Sequence, residues 1–242
     1  MVHKIEEIKN IIQDAEMVLV GIGKEFAPVS QISEENEALV PYLRSLYYKE
    51  LPQEHEVIRA YNKLRDLIGV KPYFVVNLNT DALIYRSSID QDLIVCPCGS
   101  MMKMQCGEHI VDAGPAVAAV LGNASEEKYK VQDNQPMCPV CGAPLQFHTI
   151  ETENYMESGY LPQWNHYQRW LSCTLNRKLC ILELGAGFEY PQVVRWPFEK
   201  VTVYNRKSHL IRVGTRFPQI PEEIADRGIS ISQSPIQFLL NF

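Results

Sequence analysis

Apolar positions recur along this chain in two rhythms. Ile5, Ile8, Ile11, Ile12 and Ala15 fall on one helical face, and the unbroken apolar run Met17 to Val20 that follows ends at Gly21, as a strand buried on both faces does. Lys24 to Glu34 has no clear period. Helical spacing returns in Asn36 to Leu51 and in Gln53 to Ile68, the second stopped by Gly69 and Pro72. Tyr73 to Asn77 and Leu93 to Val95 read as short buried strands, and the first leads into the polar turn Leu78-Asn79-Thr80-Asp81. Farther on, Gln163 to Lys178 is helical, Leu179 to Leu184 is a strand ending in Gly185-Ala186-Gly187, and His209 to Val213 is one more strand.

Strands alternating with helices predict an α/β fold, a Rossmann-like doubly wound parallel sheet, built from residues 1–95 and 161–242. Between them, over 96–160, cysteine, glycine, proline and short polar runs replace the long apolar periods. This stretch reads as a small zinc-binding insert without much core of its own. In a sheet of this kind ligands bind beyond the carboxyl ends of the strands, so the residues that follow each strand are the ones to inspect.

Composition narrows the partners. A net charge of −6 gives no general attraction to phosphate backbones or anionic lipid, so neither nucleic acid nor membrane is an expected partner. The N-terminal pattern is charged and amphipathic, no run approaches the roughly 20 apolar residues of a membrane span, and a cytoplasmic location is expected. Seven cysteines, an odd number, fit a reducing compartment with a metal site better than a disulfide framework. Nothing in the pattern speaks to oligomeric state.

Cys106-x2-His109 and Cys138-x2-Cys141 are two chelating pairs 28 residues apart, each short enough to aim both side chains at one tetrahedral ion. The Cys138-Pro-Val-Cys141-Gly142 knuckle is the stronger half, because glycine after the second cysteine lets backbone amides turn towards the thiolates. For the other half, Cys96 or Cys98 is an alternative ligand. Four protein ligands close a zinc site, which then stabilises the insert and activates no water. Cys173 and Cys180 read as buried core sulfur, and Trp196 and Phe198 as core.

Two glycine turns end strands. In Val18-Leu-Val-Gly21-Ile-Gly23 and in Glu183-Leu-Gly185-Ala-Gly187-Phe188 the backbone can turn tightly and approach a pyrophosphate, whose charge backbone N–H groups meet. The expectation is that the two face each other across one dinucleotide crevice.

The order of these features is that of a known family. Strand-Gly-x-Gly, Asn79-Thr80-Asp81, Cys98-Gly99-Ser100, the paired zinc ligands and Glu-Leu-Gly-Ala-Gly together resemble a sirtuin over nearly the whole chain. The run from Glu183 to Glu199 resembles most closely the bacterial class M sirtuins, the macrodomain-linked group that looks to work as protein ADP-ribosyltransferases. The resemblance implies NAD as cofactor and a protein as substrate. It implies that Gly21 and Gly23 hold the pyrophosphate, that Asn79 and Asp81 line the nicotinamide and ribose pocket, and that Gly185 and Gly187 touch the cofactor from the other side. Where sirtuins carry a loop with Asp-Phe-Arg, this chain reads Lys24-Glu25-Phe26-Ala27-Pro28, so Phe26 alone stands in for it. Where deacylating sirtuins have His-Gly, this chain has Cys98-Gly99, and a thiol with an ordinary pKa of about 8.5 is a poor copy of that base. ADP-ribosyl transfer asks only that the pocket stabilise an oxocarbenium-like state and admit an acceptor. Asn79, Asp81 and Arg195 are the residues for that work, Arg195 because its guanidinium can hold a phosphate or carboxylate bidentately. Deacylation, or NAD or ADP-ribose binding without catalysis, are the other readings.

Overall fold

A computed structural model describes residues 2–30, 32, 37–124 and 134–242. The chain runs through α1 (Val2–Asp14), β1 (Met17–Ile22), α2 (Val40–Glu50), α3 (Glu56–Ile68), β2 (Tyr73–Asn77) and β3 (Ile94–Val95). A smaller lobe follows, with β4 (Gly99–Gln105), β5 (Ile110–Asp112), α4 (Gly114–Asn123) and β6 (Gln146–Thr149). The chain then returns through α5 (Leu161–Ser172), β7 (Leu179–Leu184), α6 (Arg195–Tyr204), β8 (His209–Val213), β9 (Gly228–Ile231) and α7 (Pro235–Leu240). The strands sort into a six-stranded sheet of order β3-β2-β1-β7-β8-β9 and a three-stranded sheet of order β5-β4-β6. Every pairing in the larger sheet is parallel. Numbered within that sheet alone, the order is 3-2-1-4-5-6, the doubly wound arrangement of dinucleotide-binding sheets, and it reverses between β1 and β7.

The period of two in the strands explains how the sheet is covered. Val18, Val20 and Ile22 face a core shared with Ile8 and Ile12 of α1, Val57, Tyr61 and Leu64 of α3, and Phe238 of α7. Leu19 turns to the opposite core, with Tyr167 of α5 and Phe198 of α6. Burial on both faces is why these strands read as unbroken apolar runs. The second face also carries charge: Arg212 holds Glu183 with two hydrogen bonds, 2.6 and 2.9 Å, and reaches Glu199 at 2.7 Å. Burial pushes the Glu183 carboxyl up, and the Arg212 guanidinium opposes that shift.

The small lobe has more core than its sequence promised. Met104, Ala113, Val117, Val120, Cys138 and Leu145 cluster with Tyr42 of α2, so a helix from before the insert completes its packing. The Ala- and Val-rich α4 is apolar nearly all round and carries little periodic contrast, which is why it went unread. Other boundaries moved as well. α5 stops at Ser172, short of Lys178, and the chain turns through Asn176 at φ +62°. α2 begins at Val40 with Pro41 in its first turn; Asn36 lies outside the described residues, as does part of Lys24 to Glu34. α6, β9 and α7 were not anticipated, β9 being a four-residue edge strand, Gly-Ile-Ser-Ile. Cys180 is buried as expected, but Cys173 is exposed, and Trp196 is 54% exposed on the outer side of α6 while Phe198 is buried.

Candidate functional site

The carboxyl ends of β2 and β3 and the wall of the small lobe enclose a cleft of about 550 Å³. Asp81, Tyr85 and Cys96 line it from the sheet side, and Ser100, Lys103 and His148 from the lobe. β2 delivers the turn at its floor. The Asn77 side chain accepts the Asn79 N–H at 3.2 Å, and Asn79 Nδ2 donates to the Gly23 carbonyl at 3.2 Å, tying this turn to the end of β1. Asp81 Oδ1 accepts the Leu83 N–H at 2.8 Å, whereas its Oδ2 is buried and, among the described residues, has no hydrogen-bond partner. Burial raises the Asp81 carboxyl to about pH 6, against the pull of the Leu83 N–H. Ala82 follows in the left-handed region at φ 61°, a conformation that costs an L-residue about 1 kcal/mol or more and is held by its surroundings. Strained backbone beside an unpaired buried carboxylate is characteristic of a site built for a ligand.

The glycine turns meet differently from the expectation. Gly23 N–H donates to the Leu184 carbonyl at 2.9 Å and Glu25 N–H to that of Gly185 at 3.3 Å, so the two turns continue the β1–β7 ladder and touch each other. A Cβ on Gly23 would stand 2.3 Å from Ala186 Cα and from the Gly185 oxygen. The space for a ligand lies above this contact and not between the turns. Gly23→Ala is therefore expected to push two backbones apart and cost about 1–3 kcal/mol, a loss of several degrees in melting temperature measured by calorimetry. Gly21 has a different job from the one expected. It sits inside β1, paired to both neighbouring strands, and a Cβ there would strike Val194 and Phe198 at 2.5 Å, so it is glycine to let α6 pack. Phe26 is fully buried against Tyr61, ring centroids 4.7 Å apart, and is core rather than a cover over a ligand.

A second hollow of about 290 Å³ opens where the strand order reverses, bounded by Lys24, Gly185, Gly187, Phe188, Arg216 and Phe217. Among the described residues, its chain neighbours aside, nothing stands within 4 Å of a Cβ placed on Gly187. Phe188 and Phe217 are half exposed with ring centroids 5.0 Å apart. Phe217 holds φ at 54° directly before Pro218, a strained position for an aromatic residue. The loop that carries it is clamped: Glu25 accepts the N–H groups of Thr215 and Arg216 at 2.6 and 3.0 Å, and Arg195 donates to the Phe217 carbonyl at 3.0 Å.

That contact gives Arg195 its role. Its side chain is buried, 3.6 Å from Glu183 and 3.7 Å from Glu199, and its guanidinium lies 4.5 Å from the centroid of the Phe188 ring. It braces the loop, and its donors are not offered to a phosphate or carboxylate ligand. Cys98 is also elsewhere: it is 1% exposed among the apolar residues beneath the sheet, and burial pushes its thiol up to about 12. In the cleft itself stand groups that sequence reasoning missed. Cys96 Sγ accepts from Tyr85 Oη at 3.3 Å and Asn77 Nδ2 at 3.7 Å, and His148 projects from β6.

The metal-ligand pattern folds as read. Cys106 and His109 span the β4–β5 turn through Gly107 at φ 92°, and Cys138 and Cys141 form a second tight turn through Gly142 at φ 72°. The four ligand atoms lie within 4.8 Å of one another, with Cys106 Sγ 3.6 Å from Cys141 Sγ and 3.7 Å from His109 Nδ1. Zinc–sulfur bonds of about 2.3 Å in a tetrahedron put sulfurs about 3.8 Å apart, so the cluster fits zinc. The backbone N–H groups of Cys141 and Val140 aim at Cys138 and hold its thiol below the usual range. Cys96 and Cys98 are not in the cluster.

No protein-family model matches the sequence. Among curated proteins, a protein ADP-ribosyltransferase of Staphylococcus aureus (strain Mu50) is 23% identical over 185 residues, 74% of this chain and 59% of that protein. A probable bifunctional ADP-ribose hydrolase/ADP-ribosyltransferase of Fusarium oxysporum f. sp. cubense is 29% identical over 169 residues, 65% of this chain and 28% of that protein. The chain thus spans less than two thirds of either relative's length. Solved structures match it end to end at low identity. Sir2Tm bound to a propionylated peptide gives a TM-score of 0.59 at 13% identity, covering 98% of this chain and 96% of that one. A Sir2 enzyme gives 0.60 at 15% identity over 99% and 95%, and a Sir2 homologue in complex with ADP-ribose gives 0.58 at 12% over 97% and 93%. What these structures share with the chain, from first helix to last, is the sirtuin fold, and that is the fold of this protein.

Proposed function

We propose that the chain is an NAD-dependent ADP-ribosyltransferase, closest in its C-terminal run to the class M sirtuins, that cleaves the nicotinamide–ribosyl bond and moves ADP-ribose to a protein. The observation that carries this reading is the buried, unpartnered Oδ2 of Asp81 on the floor of the larger cleft. A carboxylate in that position stabilises positive charge developing on a ribose as nicotinamide leaves. Asn79, buried and tied to Asn77 and to the Gly23 carbonyl, positions the turn that presents Asp81. The names of both curated relatives and the ADP-ribose bound to a structural neighbour support the chemistry, and the peptide bound to another supports a protein acceptor. An odd number of cysteines, three of them gathered with His109 at the metal site, supports a reducing, cytoplasmic setting. The buried Cys98 speaks against a base at the position where deacylases carry one. Incubation with NAD labelled in both halves is expected to yield free nicotinamide and labelled protein. Release of nicotinamide only when an acylated peptide is present points to deacylation, and no release at all contradicts both.

The smaller hollow accommodates the other end of the dinucleotide. The clamped, strained Phe217 and its neighbour Phe188 present apolar faces beside the open Gly187, as a platform for adenine requires. Stacking of one base on an aromatic ring contributes about 1–3 kcal/mol. The double variant Phe188→Ala, Phe217→Ala is accordingly expected to weaken NAD binding at least about tenfold by calorimetric titration, and to leave nicotinamide mononucleotide, which lacks adenine, bound as before. Equal losses for both ligands would assign the platform to general folding.

A further inference from the structure

The larger cleft contains an imidazole that neither the family resemblance nor any spacing in the sequence assigns. His148 lies on β6 directly opposite Ser100 in the β4–β6 register, with Gly99 and Thr149 as the adjacent pair. Only 3% of its surface is exposed: the ring packs against Tyr155, centroids 4.8 Å apart, and the residue forms part of the cleft wall that also includes Asp81.

The hydrogen bonds around it fix its proton. Gln105 Nε2 donates to the Asn154 carbonyl at 3.1 Å, and Gln105 Oε1 accepts the Met156 N–H at 3.0 Å, so the amide has one orientation. Oε1 is an acceptor, and His148 Nδ1, 2.8 Å away, must be the donor. The proton thus sits on Nδ1 and the lone pair on Nε2. Among the described residues Nε2 has no hydrogen-bond partner, and the residue against it, Gly159 of the same cleft wall, carries no side chain; a Cβ there would stand 2.3 Å from that nitrogen. Burial first, and then the Lys103 ammonium on β4, push the ring down to about 4, so it is neutral at pH 7.

We infer that His148 is the catalytic base of this cleft, its Nε2 accepting the proton of the attacking group during ADP-ribosyl transfer. The assignment rests on the transferase reading above. In the step, the electron pair of a protic acceptor forms the bond to ribose C1′ and its proton passes to Nε2. The C1′–nitrogen bond breaks with its electrons remaining on nicotinamide, which departs uncharged. A weak base suffices, because the acceptor's proton becomes acidic only as the new bond forms. His148 takes over from a different strand the task that Cys98, buried beneath the sheet, cannot perform.

Water serves as acceptor in the test, with nicotinamide release from NAD as the rate. His148→Ala is expected to lose about 10²-fold in kcat with NAD affinity within about twofold of the parent. Added imidazoles of graded basicity should restore the rate in order of their pKa. His148→Gln, which fills the space and can still donate to Gln105, should lose as much as the alanine variant while melting near the parent temperature. A structural histidine gives no such order. Unchanged kcat in both variants, or rescue that ignores basicity, overturns the assignment while leaving the transferase reading intact; a parent protein that releases no nicotinamide overturns both.

Discussion

Replacing Asp81 by Asn is expected to lower nicotinamide release by about 10²–10³-fold, the cost of removing one preorganised group from a developing charge. The substitution is nearly isosteric, and an amide oxygen can still accept the Leu83 N–H. What it removes is the charge on Oδ2. The pH dependence follows with a definite sign. The carboxylate, not the acid, stabilises the cation, and burial places the transition near pH 6. The parent rate should therefore fall about tenfold per unit below pH 6 and level off above it, while the Asn variant shows no such limb. Stability moves the other way. The folded carboxyl titrates above the unfolded value of about 3.9, so the penalty for burying its charge is absent below about pH 4 and complete above pH 6. At pH 7 that penalty is roughly 3 kcal/mol, and Asp81→Asn should melt several degrees higher than the parent in a thermal scan. A variant that is slower and more stable marks a residue kept for chemistry; one that is slower and less stable marks a structural one.

Removal of zinc should have the largest effect on structure. The small lobe buries only a handful of apolar residues, and structural zinc supplies about 10 kcal/mol or more in minimal domains. Cys138→Ser, or a strong chelator, is expected to unfold the lobe, seen as a lower-temperature transition in calorimetry. Because Ser100, Lys103 and His148 form the lobe side of the larger cleft, nicotinamide release should be lost with it. Parent protein is expected to carry one zinc per chain by elemental analysis. Much less than one, with melting unmoved by chelation, would leave the four-residue cluster as a coincidence of packing.

How far the sequence announced this protein differed from one element to the next. The strands of the large sheet were legible because both faces are covered, so β1, β2, β7 and β8 are nearly uninterrupted in apolar residues. The metal site was legible because its ligands are local pairs on two turns. Asn79 and Asp81 drew attention because they follow a strand directly, and of the two it is Asp81 that lines the larger cleft. Tertiary contacts decided the rest. That Gly21 makes room for Phe198, that Phe26 packs on Tyr61, and that Arg195 braces the loop of Phe217 depend on segments distant in the chain. His148 had no motif around it, since its partner Gln105 is 43 residues away and the two meet only across the β4–β6 sheet. The burial of Cys98 beneath the sheet could not be read from a Cys-Gly pair.

The proposed activity requires one dinucleotide to span the carboxyl edge of this sheet. A crystal structure of the protein soaked with NAD or ADP-ribose tests it most directly. The expected density places the nicotinamide-side ribose within hydrogen-bond reach of Asp81 and the adenine against Phe217 beside Gly187. Nucleotide bound away from both hollows, or no binding at millimolar concentration, would contradict it.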